Sequence, residues 1–405
     1  MTTGQVVRYT YRLRVSPAQE RRLLAEWDAV RWVWNQCVAA SREAHAASTP
    51  EAPVTCGPAE LDKRLTGWRA ERAWLGARAS VPQQQAIRAF AAARAKALAD
   101  IKGRVSPRRR CGMPRFKSRH RSLPSLAYTV RGFSLPTDPT TGRVRLRLAG
   151  GIVVRPVWSR DLPSAPSSVT VYRDAVGDWW CSFVVRREVE ILPAVRRAIG
   201  VDWGVSEIAT TTSDAYDYAH PQRRRSAQHR LAHYQRMMAR RKPAPGKPAS
   251  RRYRQAKHEV ARVHRQVARQ RRDDATKWAK SVVSDFDQIA VEDFHPNFLA
   301  QTTMAKRAAD GAIAAAKSAL IAMAAKHGRD LRLVDPRYTS MDCSHCGARA
   351  KHRPSLSERT YACWSCGVVL PRDKNSAAIM VVRAGFVPAG AEGTSPVPQL
   401  AASAV

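Results

Sequence analysis

Acidic residues are scarce in this chain of 405 residues. Only 33 Asp and Glu stand against 69 Lys and Arg, which gives a formal net charge of +36. A chain this basic is normally balanced by a polyanion, and the competing candidates are nucleic acid and an anionic membrane surface. The low acid content therefore directs the search toward a phosphate-rich partner.

Long apolar runs are also missing. No stretch reaches the roughly 20 apolar residues that a transmembrane helix needs, and residues 1–20 lack the apolar core of a signal peptide. Four of the eight cysteines are scattered without a spacing pattern and are interpreted as reduced thiols: Cys37, Cys56, Cys111 and Cys181. We expect a cytosolic protein with nucleic acid rather than a membrane as partner, and with phosphate contacts supplying most of the affinity.

The other four cysteines form two Cys-x-x-Cys pairs near the C-terminus. They are Cys343, Cys346, Cys363 and Cys366, and a glycine follows each pair. This spacing is typical of a tetrahedral zinc site, and glycine lets the backbone turn tightly around a metal. Because four thiolates leave no open coordination position, the predicted Zn²⁺ is structural, and the chemistry must lie elsewhere.

The first half of the chain predicts a strand followed by helices. Residues 6–15 alternate like a strand, and Ser16 is predicted to cap a helix that runs to about residue 46, with Pro17 at its first position and Glu20 completing a capping box. A second helical region covers 59–102, with a break at 80–82.

A basic segment follows these helices. Residues 101–122 hold nine Lys and Arg and no acid. We predict phosphate contacts there rather than a solvated loop, because no acid lies nearby and Phe116 is interleaved with the cations. The candidate nucleic-acid-binding residues are Arg108, Arg109, Arg110, Arg115 and Lys117.

Two further patterns fill the remainder of the chain. Residues 125–190 predict short strands that, with the first strand, form a small barrel into which the helices are inserted. Residues 221–280 predict two helices joined by a turn at 243–248; they carry 20 Lys and Arg against three acids. One apolar stripe packs while the remaining surface is basic, which favours an amphipathic hairpin with a face toward nucleic acid.

Three acids carry the predicted chemistry. Asp202 and Glu292 each end an apolar strand, and Asp373 begins the last helix. Strand-terminal carboxylates project at the edge of a sheet where α/β active sites form. Three converging acids repel one another unless hard cations such as Mg²⁺ or Mn²⁺ lie among them. Two such ions about 4 Å apart can activate a water molecule to attack a phosphodiester and can stabilise the leaving oxygen.

The motifs around these residues resemble those of the TnpB family, which are RNA-guided nucleases carried by bacterial insertion sequences and related to type V CRISPR effectors. Residues 199–205, 289–294 and 372–377 resemble the three RuvC motifs of the family. Residues 338–347 and 363–367 resemble its zinc ribbon, and 11–15 and 114–117 also fit.

The resemblance implies a multidomain fold of α/β class plus a β-barrel. An RNase H-like RuvC nuclease domain with an inserted zinc ribbon would be joined to a wedge-type barrel with a helical recognition insert. The predicted boundaries are 1–20 and 119–195 for the barrel, 21–118 for the insert, 196–340 and 371–386 for the nuclease domain, 341–370 for the ribbon and 387–405 for a disordered tail.

The resemblance also implies an activity, namely RNA-guided DNA cleavage, and a location, namely the cytoplasm of a prokaryote in association with the nucleoid. Asp202, Glu292 and Asp373 would be the catalytic residues and the Mg²⁺ ligands. A guide RNA from the transposon end would pair with a double-stranded DNA target, while the protein reads a short adjacent motif. The sequence does not indicate the oligomeric state.

This chain departs from the family pattern at Trp203, at Leu370-Pro371 and at Ile379. None of these departures removes a carboxylate, so they bear on the geometry of the metal site rather than on the class of reaction.

Three alternatives remain open at this point. A nuclease-inactive RNA-guided repressor would be expected to have lost at least one of the three acids, and all three are present. A miniature type V CRISPR effector would share the chemistry and differ in the source of its RNA. A strand-transferring transposase would need a catalytic Tyr or Ser context, which the sequence does not show, and it would leave joined rather than free ends.

Overall fold

The computed structural model describes residues 4–49, 51–52, 54–106, 110–119, 121–293, 305, 310–355 and 357–387. Two compact units are present: Gly4–Glu188, and a second one that begins at Val189. The predicted tail at 387–405 lies outside the described residues except for Val387. The predicted domain boundaries within each unit remain predictions.

The first unit combines seven strands with four helices. The strands are β1 (Gln5–Arg14), β2 (Ser125–Thr129), β3 (Phe133–Ser134), β4 (Leu146–Leu148), β5 (Ile152–Pro156), β6 (Ser168–Arg173) and β7 (Trp179–Arg187). The helices are α1 (Pro17–Ala47), α2 (Pro58–Glu71), α3 (Ala73–Gly76) and α4 (Ser80–Lys102).

The strands of this unit form one barrel-like sheet in the order β2-β6-β7-β1-β5-β4-β3. Strand β1 lies in the middle and pairs antiparallel with β7, with Tyr11 opposite Cys181. Its inward residues alternate with exposed ones, and the ring of Tyr11 packs edge-on against Trp158 at 4.7 Å. The predicted barrel with helices inserted between its strands is confirmed at this level.

Helix α1 begins where the sequence predicted, but its capping box uses a different residue. The Ser16 hydroxyl accepts a hydrogen bond from the Gln19 backbone N–H, and the Gln19 side chain accepts one from Ser16 N–H at 2.7 Å. The prediction of Glu20 was wrong because the third helical residue after the cap is Gln19. The break predicted at 80–82 was also displaced: helix α4 starts at Ser80, and the interruptions lie at Arg72 and at 77–79.

The second unit has an α/β organisation with a separate two-stranded ribbon. Its strands are β8 (Ala198–Trp203), β9 (Glu207–Thr211), β10 (Tyr218–Ala219), β11 (Gln288–Glu292), β12 (Asp330–Val334), β13 (Thr360–Ala362) and β14 (Val369–Pro371). Its helices are α5 (Arg223–Ser226), α6 (Gln228–Arg240), α7 (Arg251–Asp285), α8 (Ile313–Lys326) and α9 (Arg372–Arg383).

The five-stranded sheet of this unit determines where its acids lie. Its order is β10-β9-β8-β11-β12, and β8, β11 and β12 run parallel. Val201 of β8 pairs with Val291 of β11. The next residues, Asp202 and Glu292, therefore lie side by side where the two strands end, because parallel strands in register end together.

The basic hairpin is present as predicted, with α6 and α7 packing through Leu231, Val263 and Val267. Among the helices in the described part of the chain, none has the combination of length and apolar character that crossing a bilayer requires.

Candidate active site and cysteine cluster

Asp202 and Glu292 meet at the edge of the five-stranded sheet. Their side chains lie close enough that each changes the pKa of the other. Burial, the charge of Glu292 and the charge of Asp373 raise the pKa of Asp202 well above its usual range. Burial also raises the pKa of Glu292. The two strands thus hold a pair of carboxyl groups that disfavour simultaneous ionisation.

Trp203 holds Glu292 from two directions. Its backbone N–H donates to Oε2 of Glu292 at 3.4 Å, and its indole N–H donates to the backbone oxygen of Glu292 at 3.1 Å. The indole is itself packed edge-on against Trp278 at 6.0 Å. This family departure is therefore accommodated, because the larger side chain ties the ends of β8 and β11 together.

Asp373 joins the pair from the first turn of α9. It lies near enough to Asp202 for its charge to raise the pKa of that residue. Two guanidinium groups flank its carboxylate: Arg372 at 3.3 Å and Arg359 at 3.6 Å. The Arg372 side chain is nearly buried and also donates to the backbone oxygen of Ser355 at 2.9 Å. The structure thus brings together all three acids that the sequence singled out.

Close backbone contact sets the position of helix α9. A Cβ atom added to Gly200 of β8 would lie 1.9 Å from the backbone oxygen of Ala377, so no larger residue fits there. At the start of the helix, the Lys374 ammonium donates to the backbone oxygen of Thr211 at 2.9 Å and to Asp217 at 2.7 Å. These contacts hold the turn that carries Asp373 against the strand that carries Asp202.

The donor set of the three acids suits hard divalent cations. Carboxylate oxygens are the ligands that Mg²⁺ and Mn²⁺ prefer, and a cation would offset the neighbouring negative charges that, together with burial, raise the pKa of Asp202. The ligand atoms are spread more widely than in the cysteine cluster, since within the described ranges only the cysteines form a group of three or more whose ligand atoms lie within 4.8 Å of one another.

The four cysteines converge into a compact cluster. Their sulfur atoms all lie within 4.8 Å of one another, with Cys343 and Cys366 at 3.7 Å and Cys346 and Cys363 at 3.6 Å. A tetrahedral Zn²⁺ with bonds of about 2.3 Å implies sulfur–sulfur distances of roughly 3.8 Å. The spacing of the sulfurs therefore fits a zinc ion.

The backbone around the cluster has the form of two matching knuckles. The N–H of Gly347 donates to the oxygen of Cys343 at 2.9 Å, and that of Gly367 to Cys363 at 3.0 Å. Both glycines have positive φ, at 74° and 73°. Backbone N–H groups of Cys366 and Ser365 lower the pKa of the Cys363 thiol to about 6. The pKa values of Cys343 and Cys366 are instead raised, with burial the main cause that raises each. A bound Zn²⁺ would favour the thiolate, the form in which cysteine binds metals.

The basic segment predicted to bind nucleic acid is described only in part. Arg108 and Arg109 lie outside the described residues, whereas Arg110 and Arg115 are exposed. Lys117 is turned inward: its ammonium lies 3.6 Å from the ring centroid of Trp34, and burial lowers its pKa. Its position differs from that of a solvent-facing phosphate contact.

The backbone of Lys117 is also anchored on helix α1. Its N–H donates to Oδ1 of Asn35 at 2.8 Å, and its oxygen accepts from Nδ2 of Asn35 at 3.1 Å. The indole N–H of Trp34 donates to the backbone oxygen of Arg115 at 2.9 Å. Lys117 thus fastens the segment to the helix, and the Arg115 side chain remains exposed.

Sequence reasoning gave no role to three residues of this region. They are Gly200, Lys374 and Asn375, of which Asn375 is fully buried. A glycine inside an apolar strand is a signal of close backbone approach, so Gly200 was detectable in principle. The contacts of Lys374 and Asn375 join distant parts of the chain, so no local sequence pattern predicts them.

Three family profiles match the chain. Residues 182–301 match a profile described as "Probable transposase", 315–380 one described as "Cas12f1-like, TNB domain", and 5–49 one described as "Helix-turn-helix domain". Residues 5–49 are described throughout, and they form the single strand β1 and the single helix α1.

Two curated proteins are similar over nearly the whole chain. One from Streptomyces pristinaespiralis, named "Putative RNA-guided DNA endonuclease", is 30% identical over 381 residues, which cover 92% of this chain and 88% of that protein. InsQ of Escherichia coli K12, which carries the same description, is 26% identical over 389 residues, covering 91% and 90%.

A solved structure shares the fold. A chain in the cryo-EM structure of the Cas12f1–sgRNA–target DNA complex has a TM-score of 0.51 and 11% sequence identity, and the match covers 93% of this chain and 98% of that one. The predicted fold class, a mixed α/β chain with a barrel-like sheet and a cysteine cluster of ribbon type, is confirmed. With a relative 30% identical across 92% of its length, the chain belongs to the TnpB family.

Proposed function

We propose that this chain is an RNA-guided DNA endonuclease encoded by an insertion sequence. The observation that carries the proposal is the convergence of three acids: Asp202 and Glu292 at the ends of adjacent parallel strands, and Asp373 on the helix packed against β8. The names of both curated relatives support the same activity. A structural protein has no evident use for three mutually repelling acids at one sheet edge.

The three acids have distinct roles in this proposal. Bound Mg²⁺ or Mn²⁺ would supply Lewis-acid stabilisation of the scissile phosphate. Asp202 and Asp373 supply carboxylate oxygens from opposite sides of the site, one from the strand and one from the helix. Glu292, held by the N–H of Trp203, completes the set and orients the attacking water.

The arginines beside Asp373 support its orientation. Arg372 lies almost buried between Asp373 and the backbone oxygen of Ser355, so it restrains the carboxylate while balancing part of the local negative charge. A carboxylate held by a bound guanidinium keeps one rotamer, which is what a metal ligand requires.

The guide and the target are the proposed partners. A guide RNA from the transposon end would pair with a double-stranded DNA target, and the protein would read a short adjacent motif. The proposed contacts to nucleic acid backbones are the cations Arg108, Arg109, Arg110 and Arg115 and the exposed cations of the hairpin α6–α7. The net charge of +36 suits such a partner.

The test is a reconstituted cleavage reaction. The chain is expressed with its own transposon end, the RNA that copurifies is sequenced, and the complex is given plasmids that carry a matching target beside randomised flanking bases. We expect Mg²⁺-dependent cuts that require both the guide match and one flanking motif. Tight, guide-dependent binding without cuts in Mg²⁺ or Mn²⁺ would favour a repressor, and joined products would favour a transposase.

The cysteine cluster is proposed to hold one structural Zn²⁺. Elemental analysis should find about one zinc per chain, because the sulfur spacing already matches tetrahedral coordination. Cys363→Ser should lose the zinc and lower the thermal stability of the second unit. Cys111→Ser, which changes a thiol outside the cluster, should retain the metal; a zinc-free wild-type protein would contradict the assignment.

The hairpin is proposed to contact nucleic acid phosphates through one face of α7. Arg251, Arg254 and Lys257 are exposed and lie three residues apart, so they share a face of the helix. Changing all three to Gln should weaken RNA binding and reduce the slope of log K against log salt by about 2, given roughly 0.7 per phosphate contact on single strands.

The control for the hairpin is Lys277→Gln on the same helix. Lys277 is already paired with Asp273 at 2.7 Å, so its loss should change the slope less than any one of the three hairpin cations. Replacing Arg108, Arg109 and Arg110 together should have an effect like that of the hairpin triple variant. Unchanged affinity and slope in both triple variants would contradict the proposed surfaces.

A further inference from the structure

Asn375 lies two residues after Asp373 in the first turns of helix α9. Its side chain is fully buried, although an amide needs up to four hydrogen bonds and is costly to bury without partners. The contacts of the amide group must therefore offset the cost of burying it.

Both ends of the amide bind the knuckle that carries the first cysteine of the cluster. Oδ1 of Asn375 accepts a hydrogen bond from the backbone N–H of Ser344 at 2.9 Å. Nδ2 donates to the backbone oxygen of Asp342 at 2.8 Å. The two bonds bracket Cys343, so the side chain pairs with this stretch of backbone in the way a neighbouring strand would.

A second link joins the other end of the same helix to the same knuckle. Arg383 donates to the buried carboxylate of Asp342 at 2.6 Å, and it also donates to the backbone oxygens of Asp335 and Arg337. The Asp342 carboxylate accepts from Arg349 as well, at 2.6 Å. The residue before Cys343 is thus held through its backbone by Asn375 and through its side chain by Arg383.

The opposite side of helix α9 lies against the catalytic strand. There the Ala377 backbone leaves no room for a Cβ atom on Gly200. The helix is therefore fixed on one side to the strand that carries Asp202 and on the other to the knuckle that carries Cys343. A displacement of either contact must move the turn that holds Asp373, because a helix moves as a rigid body.

We propose that Asn375 is a positioning residue that transmits the metal-bound state of the cysteine cluster to the carboxylate of Asp373. With the knuckle held closed, the amide finds its donor and acceptor at fixed places, and Asp373 faces Asp202 and Glu292. With the knuckle opened by loss of the metal, the helix start loses this support, and the acids bind divalent cations less well. The effect on cleavage rests on the proposed function, whereas the coupling of the knuckle to the position of Asp373 through Asn375 does not.

The test uses Asn375→Ala and Asn375→Asp in the full chain. The aspartate keeps the shape and the acceptor but places a carboxylate oxygen against the oxygen of Asp342. The matched control is Ser376→Ala, which removes a neighbouring buried side chain whose bond at 3.4 Å goes to Thr339, outside the knuckle. Two quantities are measured: Mn²⁺ binding by calorimetry, and the rate at which zinc is released to a coloured chelator.

Both Asn375 variants should weaken Mn²⁺ binding and speed zinc release, each by about tenfold or more, as is usual when a group that orients metal ligands is removed. The same shift should appear in the Mg²⁺ concentration for half-maximal cleavage, with guide RNA affinity unchanged. Removing zinc from the wild-type protein should weaken Mn²⁺ binding, and adding zinc back should restore it. Ser376→Ala should resemble the wild type in every assay.

Two results would overturn the inference. Asn375 variants that release zinc faster but bind Mn²⁺ as the wild type does would show a purely local role in the ribbon. If zinc removal left the Mn²⁺ affinity of the wild-type protein unchanged, the cysteine cluster and the three acids would not be coupled. This result would be decisive even if a variant failed to fold. Since calorimetry needs no guide or target, absent cleavage would contradict the proposed function while leaving this measurement decisive for Asn375.

Discussion

Asp202→Asn should abolish DNA cleavage while the protein keeps its fold and its guide RNA. The substitution retains the shape of the side chain but removes the charge that divalent cations need, so the loss should be at least about a thousandfold, equivalent to roughly 4 kcal/mol of transition-state stabilisation. Glu292→Gln and Asp373→Asn should behave in the same way. The measurement is single-turnover cleavage with the guide supplied, beside a guide-binding titration.

The thermal stability of the variants distinguishes a catalytic role of the three acids from a purely structural one. The carboxyl groups of Asp202 and Glu292 lie together in a buried place and repel each other when both are ionised. Without divalent cations, Asp202→Asn should therefore unfold at the same temperature as the wild type or higher. If the acids were only caps, each variant would lose stability and still cut.

Asp330→Asn is the matched control for the catalytic variants. Asp330 begins β12 of the same sheet, at the opposite edge from the three acids, and its carboxylate pairs with Arg332 at 2.6 Å. The variant should cut at close to the wild-type rate. Wild-type cleavage by any one of the three catalytic variants would rule the assignment out.

Gly200→Ala should be nearly as damaging, although it adds one methyl group and changes no charge. The new carbon would lie 1.9 Å from the backbone oxygen of Ala377 and 2.9 Å from Cγ2 of Val381, so helix α9 must move away from β8. Ala377 lies one turn after Asp373, which would move with it. A misplacement of about 1 Å costs on the order of a hundredfold in rate, and overpacking should lower the stability by about 1–3 kcal/mol.

The control here is Gly67→Ala in helix α2. Nothing lies within 4 Å of an added Cβ at Gly67, and alanine favours a helix more than glycine does. This variant should be unchanged or slightly more stable, by up to about 1 kcal/mol, and fully active. Wild-type cleavage and stability in Gly200→Ala would show that the packing of α9 on β8 does not set the position of Asp373.

Much of the fold was predictable because its signals are local. The strand that ends in Asp202, the strand that ends in Glu292 and the helix that begins beside Asp373 all follow from apolar runs and their bounds. The capping box shows the limit of reasoning from residue type alone. Glu20 and Gln19 are equally plausible by type, and the spacing from Ser16 selects Gln19, the third residue after the cap.

The basic segment shows a second limit. Lys117 has the charge of a phosphate contact, and residue type alone assigns it to that role. Trp27 and Trp34, some 80 or 90 positions earlier in the chain, instead receive its ammonium, and Asn35 binds its backbone. A lysine and the aromatic surface that holds it have no fixed spacing, so only the folded chain reveals the pairing.

By itself, the sequence determined which atoms are available: four sulfurs in two knuckles, three carboxylates at element ends, and the excess of cations. These are properties of residue type and of short spacing along the chain, both of which the covalent structure fixes. The tertiary structure alone decided how the pieces are held, through Gly200 beneath Ala377, Trp203 on Glu292 and Asn375 around Cys343. Each of these contacts joins residues separated by 30 to more than 170 positions. Over such separations the packing of whole helices and strands determines which residues come into contact, because sequence periodicity reports only on neighbours within one element.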